Sequence, residues 1–211
     1  MTRYIQDYIE LVRSGTVPVC RDQLLLVDYV ERVFQEESIY VDEAQLERQR
    51  EYTRQLAALH QQRGKPVYAL VDTFGCQQNV ADGQKLMGML EASGFTLTQD
   101  PKEADLVLLN TCAIREHAEQ RVLGNLGALV HVKRRHPEQI ICVCGCMAQE
   151  AHVAEKIKQS FRHVDLVFGP HALWRFPEFI HTLLTQRGRV FQVAEEAGSI
   201  SEGIPVVRQD R

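Results

Sequence analysis

The chain has 211 residues, with 24 Lys and Arg against 28 Asp and Glu, and a formal net charge of -4. That balance excludes a protein that grips nucleic acid by bulk charge, while leaving room for a local basic patch. No run approaches the roughly 18 apolar residues of a membrane helix, and residues 1–10 lack the apolar centre of a signal peptide, so a cytoplasmic chain with no membrane contact is expected.

The apolar residues of the first block, residues 1–64, recur at helical spacing. Tyr4, Ile5, Tyr8, Ile9 and Val12 suit a short helix ending near Ser14 and Gly15, and Leu24, Leu25, Val27, Val30, Val33 and Phe34 suit a second. Asp42, with Gln45 three residues on, starts a third helix as a capping box does. It runs through Leu46 and Leu56 toward Arg63, where Gly64, Lys65 and Pro66 break it. This block reads as a helical N-terminal extension, and its Cys20 as a packing or surface thiol.

From Lys65 the pattern changes to short apolar runs separated by helix-length segments. Val67 to Val71, Leu106 to Leu109, Ile140 to Val143, Val164 to Phe168 and Val190 to Val193 read as strands apolar enough to be covered on both faces. Helices are expected near Val80 to Ala92, Arg115 to Arg134, Ala148 to Ser160 and Ala172 to Thr185. This alternation predicts, over residues 65–194, an α/β fold: an open parallel five-stranded sheet with helices on both faces, Rossmann- or flavodoxin-like, joined by right-handed crossovers. Residues 195–211 read as a linker.

Three of the six cysteines fall just after strands: Cys76 in FGCQQN, Cys112 in NTCAIRE and Cys146 in GCMAQ. The carboxyl edge of an open α/β sheet is where ligands bind, and neighbouring strands about 4.8 Å apart would let one cofactor touch all three thiols. Each of these cysteines precedes or opens an expected helix, and a helix N-terminus favours thiolate, the metal-binding form. Three thiolates without paired Cys-x-x-Cys knuckles do not complete a structural zinc site. Three soft ligands suit an iron–sulfur cluster with one iron left open. Three small residues buried at strand ends are the plain alternative.

Cys142 and Cys144 lie two apart in a strand and so share one face, pointing into a helix layer as core residues. His117, His131 and His152 read as surface residues. Arg115 and Glu116, directly after Cys112, either contact a bound group or substrate or cap their helix. Lys133, Arg134, Arg135 and His136 read as a solvated helix terminus, where positive charge is favourable.

At FGCQQN, NTCAIREHAEQR and GCMAQ, 36 residues separating the first two motif cysteines and 34 the next two, the sequence resembles the N-terminal domain of the methylthiotransferase family, most closely its MiaB-type tRNA enzymes. The resemblance covers about Lys65 to Val193 and implies an auxiliary four-iron four-sulfur cluster held by Cys76, Cys112 and Cys146. It further implies that the open iron carries the sulfur to be inserted. Gln77, Asn79, Arg115 and Glu116 become candidate neighbours of the cluster or the substrate. A following radical S-adenosylmethionine domain would hold a second 4Fe-4S cluster and activate C2 of an adenosine beside the anticodon, with the tRNA anticodon stem-loop as partner. The sulfur donor is left open.

The chain departs from that pattern in two places. Cys142 and Cys146 match the first gap of the radical motif Cys-x-x-x-Cys-x-x-Cys, but its third position is Gln149 and no cysteine follows Cys146. The chain is therefore expected to be part of a longer enzyme and inactive alone. Val80 to Gln84 read VADGQ where the family carries an Asp-Ser-Glu run, leaving Asp82 as the match. Within the family, Gln77 after Cys76 fits the branch acting on isopentenyl-adenosine better than the branches with Lys-Val (threonylcarbamoyl-adenosine) or Pro-Lys (ribosomal protein) at that point. A cluster- or sulfur-carrying module that works with a partner chain, and a structural domain without cofactor, stand as the other classes.

Overall fold

The computed structural model describes residues 10–14, 16, 41–113, 118–186 and 188–193. The chain divides into two compact units, Met1–Tyr40 and Val41–Arg211. Of the first unit the described residues include one helical turn, residues 10–13. The second expected helix, Cys20 and the linker over residues 195–211 lie outside the described residues, as does most of the first helix.

The second unit begins with α1, Glu43–Gln62, and its start is the one the sequence signals: Asp42 Oδ1 accepts from Gln45 N at 2.7 Å, and Asp42 N donates to Gln45 Oε1 at 3.1 Å. Arg50 and Arg54 pair with Glu43, Glu47 and Glu51 on its solvent face, where such pairs add little each. Gln49, Leu56 and His60 make its buried face. α1 thus packs within the α/β unit, although the sequence groups it with the helical block ahead of the sheet.

The strands are β1 (Tyr68–Phe74), β2 (Thr96–Leu97), β3 (Leu106–Thr111), β4 (Ile140–Gly145), β5 (Leu166–Phe168) and β6 (Val190–Gln192). All pairings are parallel and the order is β2-β1-β3-β4-β5-β6, so the sheet has six strands rather than the five expected. The addition, β2, has only two residues, too short to show a periodicity. The remaining helices are α2 (Gln77–Ala92), α3 (Ala118–Arg135), α4 (Cys146–Gln149), α5 (Ala151–Ser160) and α6 (Phe176–Gln186), with a 3-10 turn over Pro170–Arg175.

Side chains alternate cleanly across the sheet. Leu106, Leu108, Cys142, Cys144, Leu166 and Phe168 pack under Leu56 of α1, Leu86 and Leu90 of α2, and Phe176, Phe179 and Ile180 of α6. Val107, Leu109, Ile141, Val143 and Val167 pack against Val122 and Leu126 of α3 and Val153 and Ile157 of α5 on the other face. The crossover through α2 runs one way along the sheet on the first face, and those through α3 and α5 run the other way on the second. These three share one hand. The step from β5 to β6 continues in the direction of α3 and α5, yet α6 lies on the first face, so it has the opposite hand. Uniformly right-handed crossovers are therefore not found. The physical reason is α1, against which α6 completes a layer: Gln49 Nε2 donates to Glu178 Oε2 at 3.0 Å, Glu178 N donates to Gln49 Oε1 at 3.2 Å, and the Tyr52 and His181 rings lie 5.1 Å apart.

His60 joins α1 to the turn after α2. Its Nδ1 lies 2.9 Å from Ser93 O, a pure acceptor, so Nδ1 carries the proton and donates, while buried Nε2 has no partner among the described residues. Its ring stands edge-on to Phe95 at 4.4 Å. Burial holds this imidazole below the ordinary histidine value, helped by Arg63 and opposed by the Ser93 bond and Asp105. The unfolded chain takes up a proton as pH falls through about 6.5 and the folded chain resists it, so stability is lost on acidification through that value. In urea titrations between pH 7.5 and 5.5, the wild type is expected to lose more stability than His60→Gln. Parallel losses would show that His60 does not couple to folding.

Candidate metal centre

β1, β3 and β4 are adjacent, and their last rungs align in one row, Phe74 with Thr111 and Thr111 with Gly145. The next residues are Cys112 and Cys146, and Cys76 follows Phe74 by two. Three loops separated only by the strand spacing of about 4.8 Å therefore each deliver one thiol to the carboxyl edge of the sheet. This is the point where the strand order reverses, with α2 leaving on one face and α3 on the other.

The three thiols differ in setting. Cys76 is the N-cap of α2, half-buried, and its Sγ donates to Asn79 Oδ1 at 3.2 Å. Cys112 is buried beside Cys146. Cys146 opens the four-residue α4, and its Sγ accepts from Ala113 N at 3.2 Å. Cys76 precedes α2 as its N-cap and Cys146 opens α4, as expected, while residues 114–117, between Cys112 and α3, lie outside the described residues. The helix start does not win at Cys146: burial, with the Cys112 thiol alongside, pushes its thiol above the ordinary cysteine value despite the Ala113 N–H. A four-residue helix has little dipole to set against desolvation.

Among the described residues no group of three or more His, Cys, Asp or Glu side chains converges as around a single ion. An iron–sulfur cluster sets a different requirement, because each thiolate binds its own iron and the sulfurs stand apart around a cube. Three soft thiols on three adjoining loops fit it. Cys142 and Cys144 are fully buried in the α1–α2–α6 layer, where burial pushes both thiols well up. They are packing residues in the structure, as their spacing indicates.

Beneath the thiols is a polar floor that sequence reasoning did not assemble. Asn79 Nδ2 donates to Asn110 Oδ1 at 3.1 Å and to Thr111 O at 3.0 Å, and Asn110 Nδ2 donates to Asn79 O at 2.7 Å. Thr111 Oγ1 donates to Cys144 O at 2.7 Å, and Cys146 Sγ approaches Thr111 O at 3.7 Å. Two glycines make room for this floor. A Cβ on Gly75 would come within 2.5 Å of Asn79 Oδ1, and one on Gly145 would strike the Thr111 backbone. Gly169, after β5, is likewise packed against the Gln149 side chain, so the GCMAQ loop also abuts the next loop. The available signal was the asparagine in each of the first two cysteine motifs, Asn79 in the first turn of α2 and Asn110 at an otherwise apolar strand end.

Gln77 and Gln78 are exposed on the first turn of α2, and Gln78 Nε2 donates to Asp82 Oδ1 at 3.0 Å, which Lys85 also approaches at 3.5 Å. Arg115, Glu116 and His117 lie outside the described residues. His131 and His152 are exposed. The run Lys133–His136 ends α3 at the opposite edge of the sheet from the thiols, and Lys133 is engaged there by Gln139 O and Asp165 Oδ2. Among the described residues no helix is long and apolar enough to cross a membrane.

Fold and site together define a doubly wound α/β domain that presents three cysteine thiols at its switch point. Residues 68–169 match the family described as "Uncharacterized protein family UPF0004". The chain is similar to proteins named tRNA-2-methylthio-N(6)-dimethylallyladenosine synthase. That of Thermoanaerobacter sp. (strain X514) is 41% identical over 171 residues, covering 81% of this chain and 36% of the relative. That of Caldicellulosiruptor saccharolyticus is 48% identical over 138 residues, covering 65% of this chain and 29% of the relative. That of Staphylococcus haemolyticus is 43% identical over 146 residues, covering 69% and 28% respectively. The chain thus spans about a third of the length of these relatives.

Proposed function

We propose that Cys76, Cys112 and Cys146 hold a 4Fe-4S cluster, and that the domain serves an enzyme which inserts a methylthio group at C2 of an isopentenylated adenosine next to the tRNA anticodon. The observation that carries the cluster is the aligned row Phe74, Thr111, Gly145, which gives each of three adjoining loops one thiol. When bound, the cluster would offer one iron without a protein thiolate, open to sulfur. The chain's own part is to hold the other three irons, to keep Cys142 and Cys144 out of competition by burying them, and to present Gln77 and Gln78 to solvent beside Cys76. The names of the relatives support the tRNA substrate, and a cytoplasmic setting is part of the same proposal. The chemistry of S-adenosylmethionine and the second cluster belongs to the remaining length of such enzymes, since Gln149 stands where the third cysteine of a radical motif would fall.

Anaerobic reconstitution of the chain is expected to give about four iron and about four sulfide per chain, with a brown colour absorbing near 400 nm. A colourless, iron-free wild type would overturn the cluster. The substrate is read in cells carrying Cys112→Ala in the full-length gene, whose tRNA hydrolysate is expected to lose the 2-methylthio isopentenyl-adenosine. Loss of the threonylcarbamoyl counterpart instead would move the enzyme to that branch.

A further inference from the structure

We propose that Asn79, locked in place by Asn110, is the positioning residue that fixes Cys76 relative to Cys112 and Cys146. This rests on the reading that the three cysteines hold the cluster, and it assigns Asn79 a role beneath the site rather than contact with substrate.

Asn79 is 3% exposed and Asn110 is 1% exposed, and they come from different strand–helix units, the third residue of α2 and the penultimate residue of β3. Their hydrogen bonds admit one arrangement. Thr111 O and Asn79 O are carbonyls that can only accept, so the NH2 of Asn79 must face Thr111 and the NH2 of Asn110 must face the Asn79 backbone. The Asn79 carbonyl oxygen is thereby left to accept from the Cys76 thiol, Sγ 3.2 Å away, a bond that presets the sulfur in the cluster-free chain and ends when the proton leaves to give the ligating thiolate. The thiol at the N-cap and the amide three residues on form a closed turn, and Gly75, which has no side chain to collide with that amide, lets the loop wrap around it.

Thr111 is the common reference. Its carbonyl accepts from Asn79 of the first loop and is approached by Cys146 of the third, and the residue itself precedes Cys112 of the second. Without the amide pair, loops two and three remain tied through the β3–β4 ladder and Thr111 Oγ1, while loop one keeps the β1–β3 ladder behind it and the α2 backbone ahead, where Val80 N donates to Cys76 O at 3.1 Å, and no side-chain tie across to the other two. Cys76 is therefore the thiol whose placement depends on side chains rather than on strand pairing.

The test compares wild type with Asn79→Ala and Asn110→Ala. As a control it uses Leu126→Ala, which lies in the α3 layer away from the thiols and lowers stability without touching the floor. Both asparagine variants are expected to bind iron about 10-fold or more weakly and to shift the electron paramagnetic resonance spectrum of the reduced cluster, as loss of an orienting neighbour does in metal sites. Leu126→Ala is expected to keep the wild-type spectrum at comparable loss of stability. Wild-type iron affinity and spectrum in both asparagine variants would overturn the proposal. The cluster-free chain supplies an independent readout: amide hydrogen exchange in residues 76–80 should rise in Asn110→Ala, a change on β3, and stay unchanged in α5. If wild type binds no iron, the cluster reading fails by itself. The exchange result then decides the positioning link, and unchanged protection of residues 76–80 refutes it.

Discussion

Alanine at Cys76, Cys112 or Cys146 is expected to remove most of the reconstituted iron, whereas alanine at Cys142 or Cys144 leaves the iron content at the wild-type level. The contrast follows from where two periodicities place the five thiols. Cys142 and Cys144 lie within β4 on the face covered by α1, α2 and α6, with no route to the sheet edge. Removing either sulfur costs about 1 kcal/mol of packing and no ligand. The other three stand one per loop beyond the strand ends, and no fourth described cysteine is there to replace a lost one. On the proposed assignment, each single loss leaves two thiolates where the cluster would use three. Iron and acid-labile sulfide per chain, with circular dichroism to confirm folding, reads the result. Full iron in any of the first three variants, or lost iron in a folded Cys142→Ala chain, would sink the ligand assignment.

Gly145→Ala is expected to destabilise the domain by about 2–6 kcal/mol, a large share of the 5–15 kcal/mol typical of a domain. Gly145 has φ +98° and ψ -178°, a region that side-chain-bearing residues scarcely visit. Strain there contributes about 1–3 kcal/mol. The added methyl would also strike the Thr111 backbone and approach Asn110 Oδ1 to 2.8 Å, and since strand backbone yields less than a side chain does, overpacking adds about 1–3 kcal/mol more. Gly124→Ala makes the counterpart. It lies inside α3 with open space where the methyl would go, and is expected to stabilise by about 0.5–1 kcal/mol. Urea denaturation of both variants checks the pair; a Gly145→Ala midpoint at or above that of wild type would show that the loop relaxes freely.

The parts of this molecule legible in the sequence are those whose physics is local. Strands buried on both faces, such as Leu106–Thr111 and Ile140–Gly145, read as unbroken apolar runs, and the cysteines just beyond them locate the site edge. The start of α1 is written in Asp42 and Gln45. What the sequence conceals depends on distant partners. The buried face of α1 uses Gln49 and His60 alongside Leu56, polar residues that satisfy Glu178 and Ser93, so its docking leaves no apolar stripe. The helix expected over Ala148 to Ser160 is two, α4 and α5, broken at Glu150, whose extended ψ of 117° no residue type announces. The hand of the final crossover is set by a layer begun before β1. The link between Asn79 and Asn110 spans 31 residues, and neither asparagine alone shows which other it will meet.

That amide pair has a further consequence for how anything can sit at this edge. In doubly wound sheets the cleft between the two strands where the order reverses is commonly open, and ligands enter it. Here the cleft between the ends of β1 and β3 is stoppered from below by two buried amides that use each other as partners. A bound group has no room to descend into that cleft and would sit above the amides, between the half-buried Cys76 and Cys146 and the buried Cys112.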